Sequence, residues 1–436
     1  MSTAGSVYAA DSARGAPSSS VGRKTSMATS ADSLSARVMS EISVIGSLTL
    51  NSVVEFPDEE CMVVRLSHDK ALWAVGLSSG KIQFFTTESC TLVYSLDPPE
   101  RKENETVTGL VFVPPDPSSQ KTERQHLILA CYATGQVRLW HYTGVANPLL
   151  WTLQVEALPQ EGESHPQQQS EKSRQRGGKA KESENQQLLC LACSPDSQRF
   201  VVGGVGGEIR VYEFRRHNLI NVCQSSYSVN RVDGHRNRVC ALLYHPLGRQ
   251  MPADYGHVFL SGGWDNTVQI WDDRRGHSLW VYFGPHVCGT DALDIDPLQN
   301  HILTSSWERH RALLQVWKFQ DEAARGRVDL DEPGVQEDML KGRPLGELQQ
   351  DPLTAPSMGY VAQWLGDQYM LFAGSNANLL KIVDRGTLNM VASVSDLPKG
   401  VYSVAPLLPD SSDSRKPAKL SVCSGNRLYT FRFERK

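Results

Sequence analysis

A chain of 436 residues with 40 % hydrophobic and 21 % charged side chains has the balance of a globular protein with ample material for a core. Its 44 basic and 48 acidic side chains leave a formal net charge of −4, against the basic excess usual in a general nucleic-acid binder. No run approaches the ~20 apolar residues of a spanning helix, and the first forty residues lack the apolar stretch of a secretory signal.

These absences make a cytoplasmic or nuclear protein the expectation, with no membrane partner. The nine cysteines are an odd set scattered mostly inside apolar runs, where a reduced thiol acts as a small hydrophobe. In such a compartment a disulfide framework is not expected.

In chain order, residues 1–42 are rich in Ser and Ala and cannot bury enough apolar surface to order themselves, so they read as a disordered tail. The tail holds Arg23, Lys24, Thr25 and Ser26, a basic pair ahead of hydroxyls that a kinase could modify. Residues 46–56 (GSLTLNSVVEF) read as a lone strand. From there to the end a unit recurs: an apolar run, a turn, a second run ending in small residues, a tight turn, and a third run ending in an aromatic.

The second-turn-third portion appears as ALWAVGLSSGKIQFF (71–85), LILACYATGQVRLW (127–140), RFVVGGVGGEIRVY (199–212) and VFLSGGWDNTVQIW (258–271). It returns as ILTSSWERHRALLQVW (302–317), MLFAGSNANLLKIV (370–383) and LSVCSGNRLYTF (420–431), which makes seven copies. Alternating β-branched and aromatic residues suit a pleated surface. Gly or Asn in the turn suits a tight hairpin, and the small residues before it let neighbouring units approach. Periods near 40–45 residues point to propeller blades.

Two polar stretches, about 160–187 and 321–357, interrupt this pattern as flexible insertions, and no helix is signalled within the repeats. The first includes the charged run EKSRQRGGKAKESE (171–184), which reads as a solvated loop. The last copy has no outer strand after it, and the lone strand at 46–56 would supply one. An unclosed ring would leave exposed sheet edges. The expectation is therefore an all-β, seven-bladed propeller over 43–436, closed by an N-terminal strand.

At 234–272 the chain resembles a WD repeat: Gly234-His235 opens a unit that ends Trp271-Asp272, with Ser261 and Asp265 between. The resemblance implies a structural hydrogen-bond network of His235, Ser261, Asp265 and Trp271. The other copies carry degenerate endings such as Trp140-His141 and Trp317-Lys318, without the Gly-His opening. The run 259–274 (FLSGGWDNTVQIWDDR) also resembles the Trp-Asp-x-Arg box of WD-repeat substrate receptors in cullin-RING ubiquitin ligases. That resemblance implies an adaptor contact at Arg274, with Asp272 beside it.

Catalytic chemistry finds little support, and neither a cofactor nor a metal is expected. Gly203, Gly204, Gly206 and Gly207 make a Gly-rich stretch with no helix after it, unlike a phosphate loop. Cys190 and Cys193 have metal or redox spacing, but three residues along a strand turn side chains to opposite faces. His286, Cys288 and Asp291 fall within six residues, a spacing that offers no evident triad geometry. An enzyme would need titratable groups converging on the central channel, and the sequence places none there.

Binding belongs on the loops. Trp264 and Trp307 occupy the same turn in adjacent units, with Arg236, Arg238, His286, Arg309 and His310 around them. Trp and Arg are the favoured anchors of protein interfaces. The patch suits a peptide with acidic or phosphorylated residues; the alternative is that Trp is simply common at that turn and packs on its neighbours. The reading is a non-enzymatic scaffold, a subunit of a larger complex, with the ligase receptor as its alternative.

Overall fold

The structure, a computed structural model, describes residues 46–99, 105–115, 126–143, 148–156, 186–353, 355–376, 379–395, 397–409 and 417–435. The expected tail, with Arg23 to Ser26, and nearly all of the 160–187 insertion lie outside these residues.

The described strands form seven four-stranded antiparallel sheets, each ordered from an inner to an outer strand. Blade 1 runs from Cys61–Leu66 to Leu92–Leu96, blade 2 from Val107–Phe112 to Leu149–Gln154, and blade 3 from Leu188–Cys193 to Leu219–Cys223. Blade 4 runs from Val239–Tyr244 to Trp280–Phe283, blade 5 from Leu293–Asp296 to Gly346–Leu348, and blade 6 from Met358–Leu365 to Met390–Val394. Inner strands touch in the order one to seven, and the inner strand of blade 7 (Val401–Leu407) touches that of blade 1. The ring is a seven-bladed propeller.

Blade 7 joins the first and the last of the described strands. Its third strand, Arg427–Arg435, pairs antiparallel with the strand Gly46–Glu55, from Gly46 opposite Arg435 to Glu55 opposite Arg427. The missing outer strand is supplied as the sequence implied, and the ring is closed by main-chain hydrogen bonds.

Packing between blades rests on one position that the repeat reserves for small residues. Cross-strand register places Gly76, Cys131, Gly203, Gly262, Ser305, Ala373 and Cys423 at equivalent points of the second strands. A Cβ on Gly76 would lie 2.5 Å from a methyl of Val107 in blade 2. One on Gly203 would meet Val239 of blade 4 at 3.0 Å, and one on Gly262 would meet Val287, on the approach to blade 5, at 2.8 Å. The side chain entering the next blade fills the space a larger residue would need. Two of the buried cysteines, Cys131 and Cys423, serve as this small spacer.

The stretch 321–357, read as an irregular insertion, is built differently. It holds helical segments at Asp321–Ala324 and Pro333–Lys341 and then the outer strand of blade 5, paired with Leu314–Lys318. Pro333 suits a first helical position. Met339, fully buried, seats the longer helix against the outer strand of blade 4. Polar composition concealed the helix, because a single apolar anchor leaves almost no periodic signal.

Candidate functional site

The turn joining the second and third strands of blade 4 is held by a chain of side chains. Trp271, at no measurable exposure, donates its indole N–H to Ser261 Oγ at 2.7 Å. The same hydroxyl lies 2.6 Å from His235 Nε2, and His235 Nδ1 lies 2.9 Å from Asp265 Oδ2. Asp265 also accepts from the Arg236 backbone N–H at 3.0 Å and from Thr267 Oγ1 at 2.8 Å. Burial works against the charge of Asp265, but the His235 ring and these hydrogen bonds hold its carboxyl below the ordinary range. The four sequence-implied residues are thus brought together, and each polar link has a partner.

The turn so fixed carries Trp264. Its ring lies parallel to that of Trp307, from the same turn of blade 5, with centroids 6.4 Å apart and planes 9° apart. His286 sits 5.7 Å from Trp264 and 6.4 Å from Trp307 and bonds Asn266 Oδ1 at 2.5 Å. Burial holds the His286 ring below its usual pKa, which favours the neutral form. The Arg238 guanidinium lies 4.3 Å above the Trp264 ring. Arg236 is committed to the carbonyls of Ser228 and Arg231, whereas Arg309 and His310 are exposed.

This face extends further than the sequence indicated. Trp307 is followed by Tyr360 at 6.4 Å, and Tyr360 by Tyr402 at 5.5 Å, a line of rings across blades 4 to 7.

Comparison with known proteins matches the WD domain, G-beta repeat family at residues 180–213 and 226–272, which fall on blades 3 and 4. Together with the seven sheets and the side-chain network, that match decides the family. The chain is a WD-repeat β-propeller. Human Coronin-7 is similar to it, 28 % identical over 118 residues that make up 27 % of this chain and 10 % of that protein. The chain therefore spans about a tenth of the length of that curated relative.

The WD network is less confined to blade 4 than its sequence suggested. In blade 5 Trp317 donates to Thr304 Oγ1 at 3.2 Å, the counterpart of the Trp271–Ser261 bond. His286 lies 3.9 Å from Glu308, where blade 4 has His235 and Asp265. Pro285 splits the Gly-His pair and Glu replaces Asp, so the unit keeps the arrangement without the signature. In blade 2 Trp140 instead donates to Tyr132 Oη at 3.3 Å.

On the opposite face of this WD ring, Arg274 folds back on Asp272 with two side-chain bonds of 2.8 and 2.5 Å. Its side chain remains 62 % exposed. Next to it His257, Asp272 and Asp273 place possible ligand atoms within 4.8 Å of one another. Asp273, however, already accepts from Arg199 at 2.7 Å and Tyr244 at 2.9 Å and contacts His257 at 2.6 Å. This is the donor set of a clamp between blades 3 and 4.

The remaining motifs are separated by the fold. Cys190 and Cys193 are both buried but face different core clusters, on opposite sides of their strand. Gly203 and Gly204 end a strand, and Gly207 takes φ +86° in the turn. Burial pushes the Cys288 thiol up to about 11, and Asp291 is engaged elsewhere, so His286, Cys288 and Asp291 form no relay.

The inner strands of the WD ring do enclose titratable groups, contrary to the expectation from sequence. A cavity of about 550 Å³ in the channel is lined by residues including Arg65, Asp291 and Asp294. Arg65 and Asp291 form an ion pair at 2.6 Å. Burial pushes the Asp294 carboxyl up to about 7, although it accepts from the Trp364 and Ile295 backbone N–H groups. Between the ordinary value near 3.8 and about 7 the folded chain holds a proton that the unfolded chain has lost, so this group's contribution falls as pH rises through that window. Asp294→Asn is expected to abolish that dependence. Relative to wild type it gains on the order of 2 kcal/mol between pH 5 and 7.5 in urea denaturation.

Proposed function

We propose that this WD propeller is a non-catalytic scaffold, cytoplasmic or nuclear, whose loop face at blades 4 and 5 docks acidic or phosphorylated peptides of partner proteins. WD propellers in general are protein-interaction platforms without catalysis of their own. The observation that carries the finer reading is Arg238. Its guanidinium stacks on Trp264, and among the described residues its side chain has no hydrogen-bond or ion-pair partner. A stacked guanidinium is oriented in advance, and its fork matches a carboxylate or phosphate bidentately. Arg309 and His310 add positive charge at the edge of the patch.

Arg238→Ala is expected to weaken an acidic or phosphoserine peptide by about tenfold or more in fluorescence anisotropy. Should Trp264→Ala combined with Trp307→Ala leave binding of every partner intact while the melting curve is unchanged, the reading is wrong.

A second reading is favoured by Arg274, exposed yet held in a fixed orientation by Asp272. In a ubiquitin-ligase receptor, Arg274→Ala would remove the cullin-RING adaptor from a quantitative pull-down. No adaptor in the wild-type pull-down would eliminate this second role.

A further inference from the structure

Each of six inner strands carries a register slip near its start, which leaves one residue per blade outside the ladder. These residues are Met62, Thr108, Leu189, Cys240, Tyr360 and Tyr402 in blades 1, 2, 3, 4, 6 and 7. A bulge re-aims a side chain that regular alternation would have set on one face of the sheet. Only in blades 6 and 7 is the re-aimed residue aromatic. Both tyrosines are partly exposed, and both continue the line that begins at Trp264 and Trp307.

The line is chemically polarised. At one end stands the Arg238 fork over Trp264, without a hydrogen-bond or ion-pair partner among the described residues. At the other, Tyr402 neighbours Glu60, whose charge is met by Lys399, so Lys399 is already committed. Four rings spaced 6.4, 6.4 and 5.5 Å apart cover at most roughly 18 Å, the reach of five or six extended residues at ~3.3 Å each.

Resting on the docking reading above, we infer that the occupant is an extended peptide lying across blades 4 to 7. Its acidic or phosphorylated residue sits on Arg238, and an aromatic or aliphatic side chain four or five positions away packs on Tyr360 and Tyr402. Tyr360 and Tyr402 then set the length and the apolar end of the recognised segment, whereas Arg238 sets its charge.

The test is a selection of random twelve-residue peptides displayed on phage against the purified full chain, followed by anisotropy with the selected peptides. The expected sequences share an acidic residue four or five positions from an apolar one. Tyr402→Ala weakens them about tenfold, and Tyr402→Phe, which keeps the ring, binds as wild type. Moving the apolar residue to within two positions of the acid removes the dependence on Tyr402 and keeps that on Arg238. If Arg238→Ala weakens binding while Tyr402→Ala and Tyr360→Ala do not, the extended register is wrong and the docking face stands. If none of the three matters, or no peptide is selected, both are overturned. Unchanged melting curves for each variant separate lost binding from lost fold.

Discussion

Asp291→Ala is expected to cost this propeller about 3 kcal/mol in urea denaturation, the range for removing one partner of a buried ion pair. The residue is 4 % exposed, and its bonds reach around the ring. Its carboxylate meets Arg65 of blade 1 at 2.6 Å and accepts from Ser403 Oγ at 2.5 Å and the Val404 N–H at 3.2 Å, both in blade 7. Its backbone carbonyl accepts from Ala362 N–H in blade 6 at 2.7 Å. Arg65 in turn donates to the Leu110 carbonyl of blade 2 at 3.1 Å. Five of the seven blades thus meet at one pair, which closes the ring from inside while the strand Gly46–Glu55 closes it from outside. Alanine would leave the Arg65 guanidinium without its counter-charge and the Val404 N–H without its acceptor. Asp291→Asn keeps an acceptor and loses the charge, so it should cost roughly half as much. A loss below about 1 kcal/mol for alanine would mean that closure rests on the outer strand alone.

How much of this was legible depended on whether a contact is local in the repeat. The seven blades could be read because alternation, a small residue and a tight turn recur within fifteen residues of one another. The closing strand followed from counting strands in the last copy. Network residues His235, Ser261, Asp265 and Trp271 lie within a single unit and kept their signature. Asp291 was visible only as a neighbour of His286 and Cys288. Its real partners, Arg65 and Ser403, lie 226 and 112 residues away and are brought to it by ring curvature, which no local pattern encodes. Tyr360 and Tyr402 were missed because a bulge decides where they point. Both stand in inner strands, Met358–Leu365 and Val401–Leu407, outside the aligned portions at 370–383 and 420–431. Register slips of one residue reverse the facing of a strand, so spacing alone could not assign them.

Trp271→Ala should be of similar or greater cost, about 3–5 kcal/mol, because a fully buried tryptophan is exchanged for a cavity. The more informative change is Trp271→Phe. Phenylalanine can retain the parallel stack on Phe259, now at 6.1 Å and 7°, but it has no N–H for Ser261. The expected loss is about 1–2 kcal/mol. In blades 5 and 2 the matching indole bonds are longer, 3.2 Å to Thr304 and 3.3 Å to Tyr132, and in blade 5 His286 bonds Asn266 and stays 3.9 Å from Glu308, so the chain to the turn is looser. Trp317→Phe and Trp140→Phe should therefore each cost less than Trp271→Phe in the same denaturation series. The ranking has a functional consequence. Ser261, His235 and Asp265 connect Trp271 to the turn that presents Trp264, and Asp265 also holds the Arg236 N–H. Loosening the indole end should release that turn, so Trp271→Phe should weaken anionic peptides that depend on Arg238, whereas Trp140→Phe should not. Equal binding by the two variants would separate the network's structural role from the docking face it adjoins.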